Sequence, residues 1–211
     1  MLKLHTLLFY SDKMYMTKTN SKYSASMTGC GFVFNEFNNV LPLLMSPNSK
    51  ELIKQEVINN QYLMMNSENT RKRCVSELQK RFAAVPESFW QYYMNLTDED
   101  KRIALLYSLL KAYAILKDLH QNVVLTQWNS IDKTLNGDNL LVEIYNIASA
   151  DKFVDSWSEQ TKQKIVSWYQ TVLFQVGMLS RTDQRLRQVR LTNDTWFRKE
   201  GESWFLEACL I

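Results

Sequence analysis

Glycine and proline are scarce in this chain: five and three residues among 211, about 4% together against a usual share of roughly 12%. A β-sandwich or barrel needs a turn every ~8–12 residues, commonly built on those residue types, so turn-rich β folds are excluded. The close pair Gly29 and Gly31 lacks the rest of a Rossmann or Walker phosphate loop. Histidine is scarcer still, with His5 and His120 alone. No HExxH, GxSxG or His/Cys cluster is present, and Asp98, Glu99 and Asp100 match a helix start better than a metal site. No catalytic residue, metal, cofactor or small-molecule substrate is therefore expected, and the chain reads as a non-enzyme. Cys30, Cys74 and Cys209 are far apart and odd in number. They resemble neither a disulfide framework nor a CxxC metal site, so a reducing cytoplasm is the expected home. Long hydrophobic runs are missing too. The most apolar stretch, 103–116, is interrupted by Ser108 and Lys111 and falls short of the ~20 residues a bilayer requires. Residues 1–10 are apolar but lack a cleavage-like tail. A soluble protein without a membrane partner is expected.

What the chain has is 45% hydrophobic residues, enough to bury a core without a metal or disulfide staple. The expected fold is all-α, a compact set of helices with helix-turn-helix-like elements. Helices are predicted over 32–45, with a bend or break near Pro42, and over 49–60. A third, capped by Asn66 or Ser67, carries Cys74, Val75, Leu78 and Phe82 on one stripe. A short aromatic helix follows Pro86. Thr97 caps a long central helix, about 98–125, and Gly137-Asp138 opens another to about 148. Ser158 caps the last long helix, which ends at Gly177. Residues 187–194 read as a small hairpin or a loop, and a terminal helix covers about 202–210. The expected organisation is a flexible extension (1–22), an N-terminal helical lobe (23–95), and the long helix with a C-terminal lobe (96–211), so that the two lobes share that helix.

The net charge of +3 is too mild to name a partner, but its distribution is uneven. Residues 71–81 carry +4 and residues 161–200 carry +5, leaving −6 for the remainder. Two basic islands on an acidic protein suit an anionic partner, nucleic acid above all, or a plain solvated surface. On the third helix, Asn69, Arg73, Ser76 and Lys80 are spaced i, i+4, i+7, i+11 and form one outward row opposite the apolar stripe. Lys72 borders that row, Arg81 lies farther round, and Arg71 points to the buried side with its aliphatic stem along the edge. Such a row can lie in a major groove, Arg and Asn reaching base edges while Lys and Ser reach phosphates. The preceding helix and the 61–66 connection complete a helix-turn-helix-like unit, although the connection exceeds the usual turn. A solvated helix face is the competing reading. In the second island, Lys162 and Lys164 begin a helix, and Arg181, Arg185, Arg187 and Arg190 follow it. They can hold phosphates as a wing does, or pair with the acidic remainder. His120 reads as a core-edge residue, and the 26 aromatics as core rather than base-stacking platforms.

Tyr23-Ser24-Ala25-Ser26-Met27-Thr28-Gly29-Cys30-Gly31, followed by Phe34-Asn35-Glu36, resembles the opening motif of the BrxA family of BREX (bacteriophage exclusion) defence systems. The resemblance continues at Asn59-Asn60, at Lys72-Arg73 with Glu77 and Arg81, at Ser158, Thr161-Lys162 and Lys164, and at Val176-Gly177-Met178-Leu179, covering about residues 23–180. It implies an all-α fold, helix-turn-helix elements and double-stranded DNA binding, with other BREX proteins as partners and no catalytic role. It points to Lys72, Arg73 and Arg81; the family often has a further basic residue where Ser76 stands here. A protein–protein adaptor without nucleic-acid binding, and an RNA-binding NusB-like helical protein, are the alternatives.

Overall fold

The computed structural model describes residues 20–211, and among these the secondary structure is helical, with two isolated β-bridges in place of a sheet. The fold is all-α. A 3-10 turn at Ser26–Gly29 leads into α1 (Phe34–Met45), α2 (Ser49–Asn59), α3 (Glu68–Ala83) and α4 (Glu87–Met94). Then come α5 (Asp98–Ala112), α6 (Ala114–Leu119), a π-helical stretch (His120–Val124), α7 (Leu125–Trp128) and α8 (Gly137–Ala150). α9 (Lys152–Asp155), α10 (Glu159–Val176), α11 (Thr195–Lys199) and α12 (Trp204–Ala208) complete the chain. The expected extension over 1–22 lies outside the described residues up to 19. Residues 21 and 22 are anchored instead, because Ser21 donates to Asp151 (2.8 Å) and Lys22 pairs with Asp118 (3.0 Å).

Local chemistry sets the helix ends. Thr97 Oγ1 accepts from the Asp100 N–H, Asn136 and Asn139 exchange a capping box, and Ser158 Oγ accepts from the Thr161 N–H, each satisfying donors that the first helical turn leaves free. Gly177 ends α10 at φ +82°, a backbone region that costs a residue with a Cβ. α1 runs through Pro42 without the expected break. Pro42 stands on the exposed face and in the last turns of the helix, where few main-chain bonds remain to be lost.

α5 is the spine, buried almost without interruption from Ile103 to Leu110 and packed against both α3 and α10. The predicted central helix is broken at Tyr113, whose φ −130° and ψ 104° are extended. The Tyr113 hydroxyl there donates to Glu77 Oε2 of α3 at 2.5 Å. Trp196, Phe197 and Phe205 of the C-terminal segment stack into the aromatic core around Phe89 of α4 and Tyr107 of α5, with centroids 5.0–6.1 Å apart. Apolar burial of that size, roughly 150–250 Å² per ring, makes the last residues part of the core. His120 is fully buried, deeper than the core edge expected: its Nδ1 lies 2.5 Å from the Tyr169 hydroxyl and its Nε2 2.8 Å from the Ala208 carbonyl.

Two features correct the sequence reading. Cys30 and Cys74 form a disulfide, with Cα atoms 4.9 Å apart across a separation of 44 residues. The cysteine argument for a reducing compartment therefore does not hold; Cys209 alone is free, and buried. The second concerns the α2–α3 connection, read in the sequence only as longer than the usual turn, which is braced by buried side chains. Buried Glu56 accepts from the N–H groups of Gln61, Tyr62 and Leu63 at 2.8–3.2 Å. Arg71 donates to the Val57 and Met65 carbonyls at 2.6 and 2.8 Å, in keeping with its predicted inward course. Glu56→Ala leaves three backbone donors without that acceptor and is expected to lower unfolding free energy by about 2 kcal/mol, as read from a urea melt.

Candidate nucleic-acid interface

The outward row of α3 is present as a surface. Asn69, Arg73 and Ser76 are exposed and Lys80 is half-buried. Lys80 Nζ donates to Ser26 Oγ at 3.2 Å and lies 4.6 Å from the Tyr113 ring centroid, while Arg73 Nε reaches only the Asn69 carbonyl at 3.4 Å. Lys72 is exposed and ion-paired with Glu68 at 2.6 Å, a contact worth a few tenths of a kcal/mol on a solvated helix, so the ammonium can be released to another anion at small cost. Lys72 also lines a groove of about 340 Å³ between α2 and α3, opposite Lys50 and Lys54. Those two lysines were missed in the sequence because Glu51 and Glu56 neutralise α2 on paper. Glu56 is in fact turned inward, and that inward turn leaves the outer side of α2 more basic than its composition.

Two residues expected at an interface are not there. Arg81 is fully buried. Its two terminal nitrogens donate to the Phe32 and Gly31 carbonyls at 3.0 and 2.8 Å, and its guanidinium carbon lies 5.8 Å from the Trp168 ring centroid. It falls two turns after Cys74, on the same face of α3. It clamps the 30–32 segment instead of a phosphate. Lys162 is buried at 4% exposure, paired with Glu159 at 2.9 Å and placed 5.1 Å from the Tyr145 ring centroid.

The remaining basic residues of the second island stay outside. Lys164 is exposed on α10. Arg181, Arg185, Arg187 and Arg190 are exposed on the irregular segment after α10, which is tied down by an isolated Leu179–Leu186 bridge and by Val189 donating to the Cys209 carbonyl. Arg181 covers the Phe174 ring at 4.6 Å, and Arg185 Nε donates to the Asp132 carbonyl at 2.9 Å. None of the four forms an ion pair among the described residues.

Tyr23, Cys30 and Gly31 of the opening motif, with the adjacent Phe32, hold the scaffold together. The Tyr23 hydroxyl donates to Asp118 at 2.7 Å, the Trp168 indole N–H donates to the Cys30 carbonyl at 2.8 Å, and Gly31 and Phe32 receive Arg81. The segment 30–32 thus binds α3 on one side and α10 on the other. Among the described residues no helix is long and apolar enough to cross a membrane, and no three His, Cys, Asp or Glu side chains converge as metal ligands.

Comparison with known proteins agrees with this architecture. No curated protein matches the chain. The crystal structure of an uncharacterized protein from Magnetospirillum magneticum has a similar fold, with a TM-score of 0.73, 18% sequence identity, and coverage of 90% of this chain and 98% of that chain. The family model described as BrxA matches residues 21–197, extending the resemblance read in the sequence at both ends. The chain belongs to the BrxA family and is a protein of the BREX phage-defence systems.

Proposed function

We propose that this protein binds double-stranded DNA in BREX defence, without catalysing a reaction, alongside the other proteins of the system. The observation that carries the reading is the outward row on α3, with Asn69, Arg73 and Ser76 exposed and Lys80 half-buried at its end. The flanking cations Lys50, Lys54 and Lys72 on the α2–α3 groove add to it. In this mechanism α2 and α3 act as a helix-turn-helix-like pair with a long, braced connection. Lys50, Lys54, Lys72 and Lys80 hold phosphates, Arg73 and Asn69 face base edges, and Lys164 with the 181–190 arginines extends the contact to the phosphate backbone.

Phosphate contacts release counterions, so affinity for a labelled duplex is expected to fall by about 0.9 log unit per contact for each log unit of salt. Fluorescence anisotropy at two salt concentrations reads that slope, and absence of binding by folded protein at low salt defeats the proposal. The double change Arg73→Ala/Lys80→Ala is expected to weaken duplex binding about tenfold while the protein stays folded, with only a small drop in melting temperature from the lost Lys80 contacts to Ser26 and the Tyr113 ring. Unchanged affinity moves the site away from α3.

A further inference from the structure

We infer that the outer face of α10 is a second element of the same interface and reads base edges through its glutamines; this rests on the duplex-binding reading above. Gln160, Gln163, Lys164, Ser167, Thr171 and Gln175 are all exposed and follow one another at helical spacing, so they form a single face. At 1.5 Å per residue that face is about 22 Å long. It borders an open groove of about 750 Å³, whose opposite wall is built by residues 28–33 and whose lining contains no acidic residue.

The face is chemically unusual for a solvated helix. Its amides and hydroxyls both donate and accept, its one charge is positive, and Trp168 beside it is fixed by the bond to Cys30. Glutamine can pair with adenine at N6 and N7 in the major groove, whereas a merely soluble face is usually laced with Glu and Lys. The nearest acid, Glu159, is exposed but ion-paired with Lys162 at 2.9 Å.

Continuity with the α3 row gives the occupant. Lys80, the last member of that row, bonds Ser26 of the 3-10 turn. Thr28 of the same turn lines the α10 groove. At the far end, Phe174 of α10 carries the Arg181 guanidinium. The α10 face therefore joins the two basic islands, which are 80 residues apart in the chain, into one surface. A duplex that meets Arg73 and Lys80 on one side and the 181–190 arginines on the other passes over α10.

The test is selection from a pool of randomised duplexes by the full-length protein and by Gln160→Ala/Gln163→Ala, followed by anisotropy on enriched and unselected duplexes. Wild type is expected to enrich a position occupied by adenine and to prefer the enriched duplex by about tenfold. The variant is expected to keep its melting temperature and its affinity for unselected duplex while losing that preference. A variant that retains the wild-type preference, or a wild type that binds duplexes without any preference, overturns base reading by α10 and leaves duplex binding standing. A wild type that binds no duplex overturns both.

Discussion

Arg81→Met is expected to lower the unfolding free energy by about 4 kcal/mol, since removing one partner of a buried charged network costs roughly 3–5 kcal/mol. The substitution keeps much of the volume of the side chain and removes its hydrogen bonds, so the loss reads the polar contacts more than a cavity. Two backbone carbonyls, Gly31 and Phe32, lose their donors, and the buried Glu77–Tyr113 pair loses its neighbouring cation. For a chain of this size the melting temperature is expected to drop by about 10 °C. Arg81→Lys is the companion, because one ammonium lacks the fork that serves two carbonyls at once; a large loss is expected there as well. If Arg81→Met melts like the wild type while losing duplex affinity, Arg81 works on the surface and the inward clamp is wrong.

Acid sensitivity centred on His120 is the second large effect. The Ala208 carbonyl can only accept, so Nε2 carries the proton and Nδ1 accepts from the Tyr169 hydroxyl. Both ring nitrogens are satisfied in the neutral form. Burial holds the imidazole's pKa down, to about 4, against about 6.5 in an unfolded chain. The sign follows from proton counting. Above about pH 6.5 both states are neutral at this site and the full stability is present. As the pH falls from there towards 4 the unfolded state takes up a proton that the folded state refuses, so stability is lost, by about 3 kcal/mol in all. Urea midpoints between about pH 7 and 4 measure this, with His120→Gln as reference. The variant starts lower and is expected to lose less over that window, since glutamine does not titrate. Parallel losses in the two proteins assign the acid limb to carboxylates.

Much of the architecture was legible in the sequence because helix ends are local events. Thr97, Ser158 and Gly177 act within one turn of themselves, and each stands where its chemistry predicts. The outward row on α3 was legible for the same reason. What escaped depends on partners distant in the chain. Cys74 meets Cys30 across 44 residues, and Arg81 answers carbonyls about 50 residues earlier. A signal for Arg81 did exist, since two turns after Cys74 it had to share that residue's buried face; its charge outweighed its position. Lys162 carried the same signal, standing one turn before Ile165 and two before Tyr169, both buried. The short helix Thr195–Lys199 was missed because five residues show no periodicity, and its two aromatics enter the core through tertiary contacts alone. Lys50 and Lys54 were hidden by the acids beside them.

The segment held between Arg81 and Trp168 fixes how far apart α3 and α10 stand. With a disulfide, two carbonyls taken by one guanidinium and a third taken by an indole, that spacing cannot be adjusted to suit whatever lies across it. A duplex touching both helices has to bring its own curvature and groove width to match. Steps that kink easily, such as TA and CA, meet that demand at least elastic cost, so discrimination can arise at positions no side chain reaches.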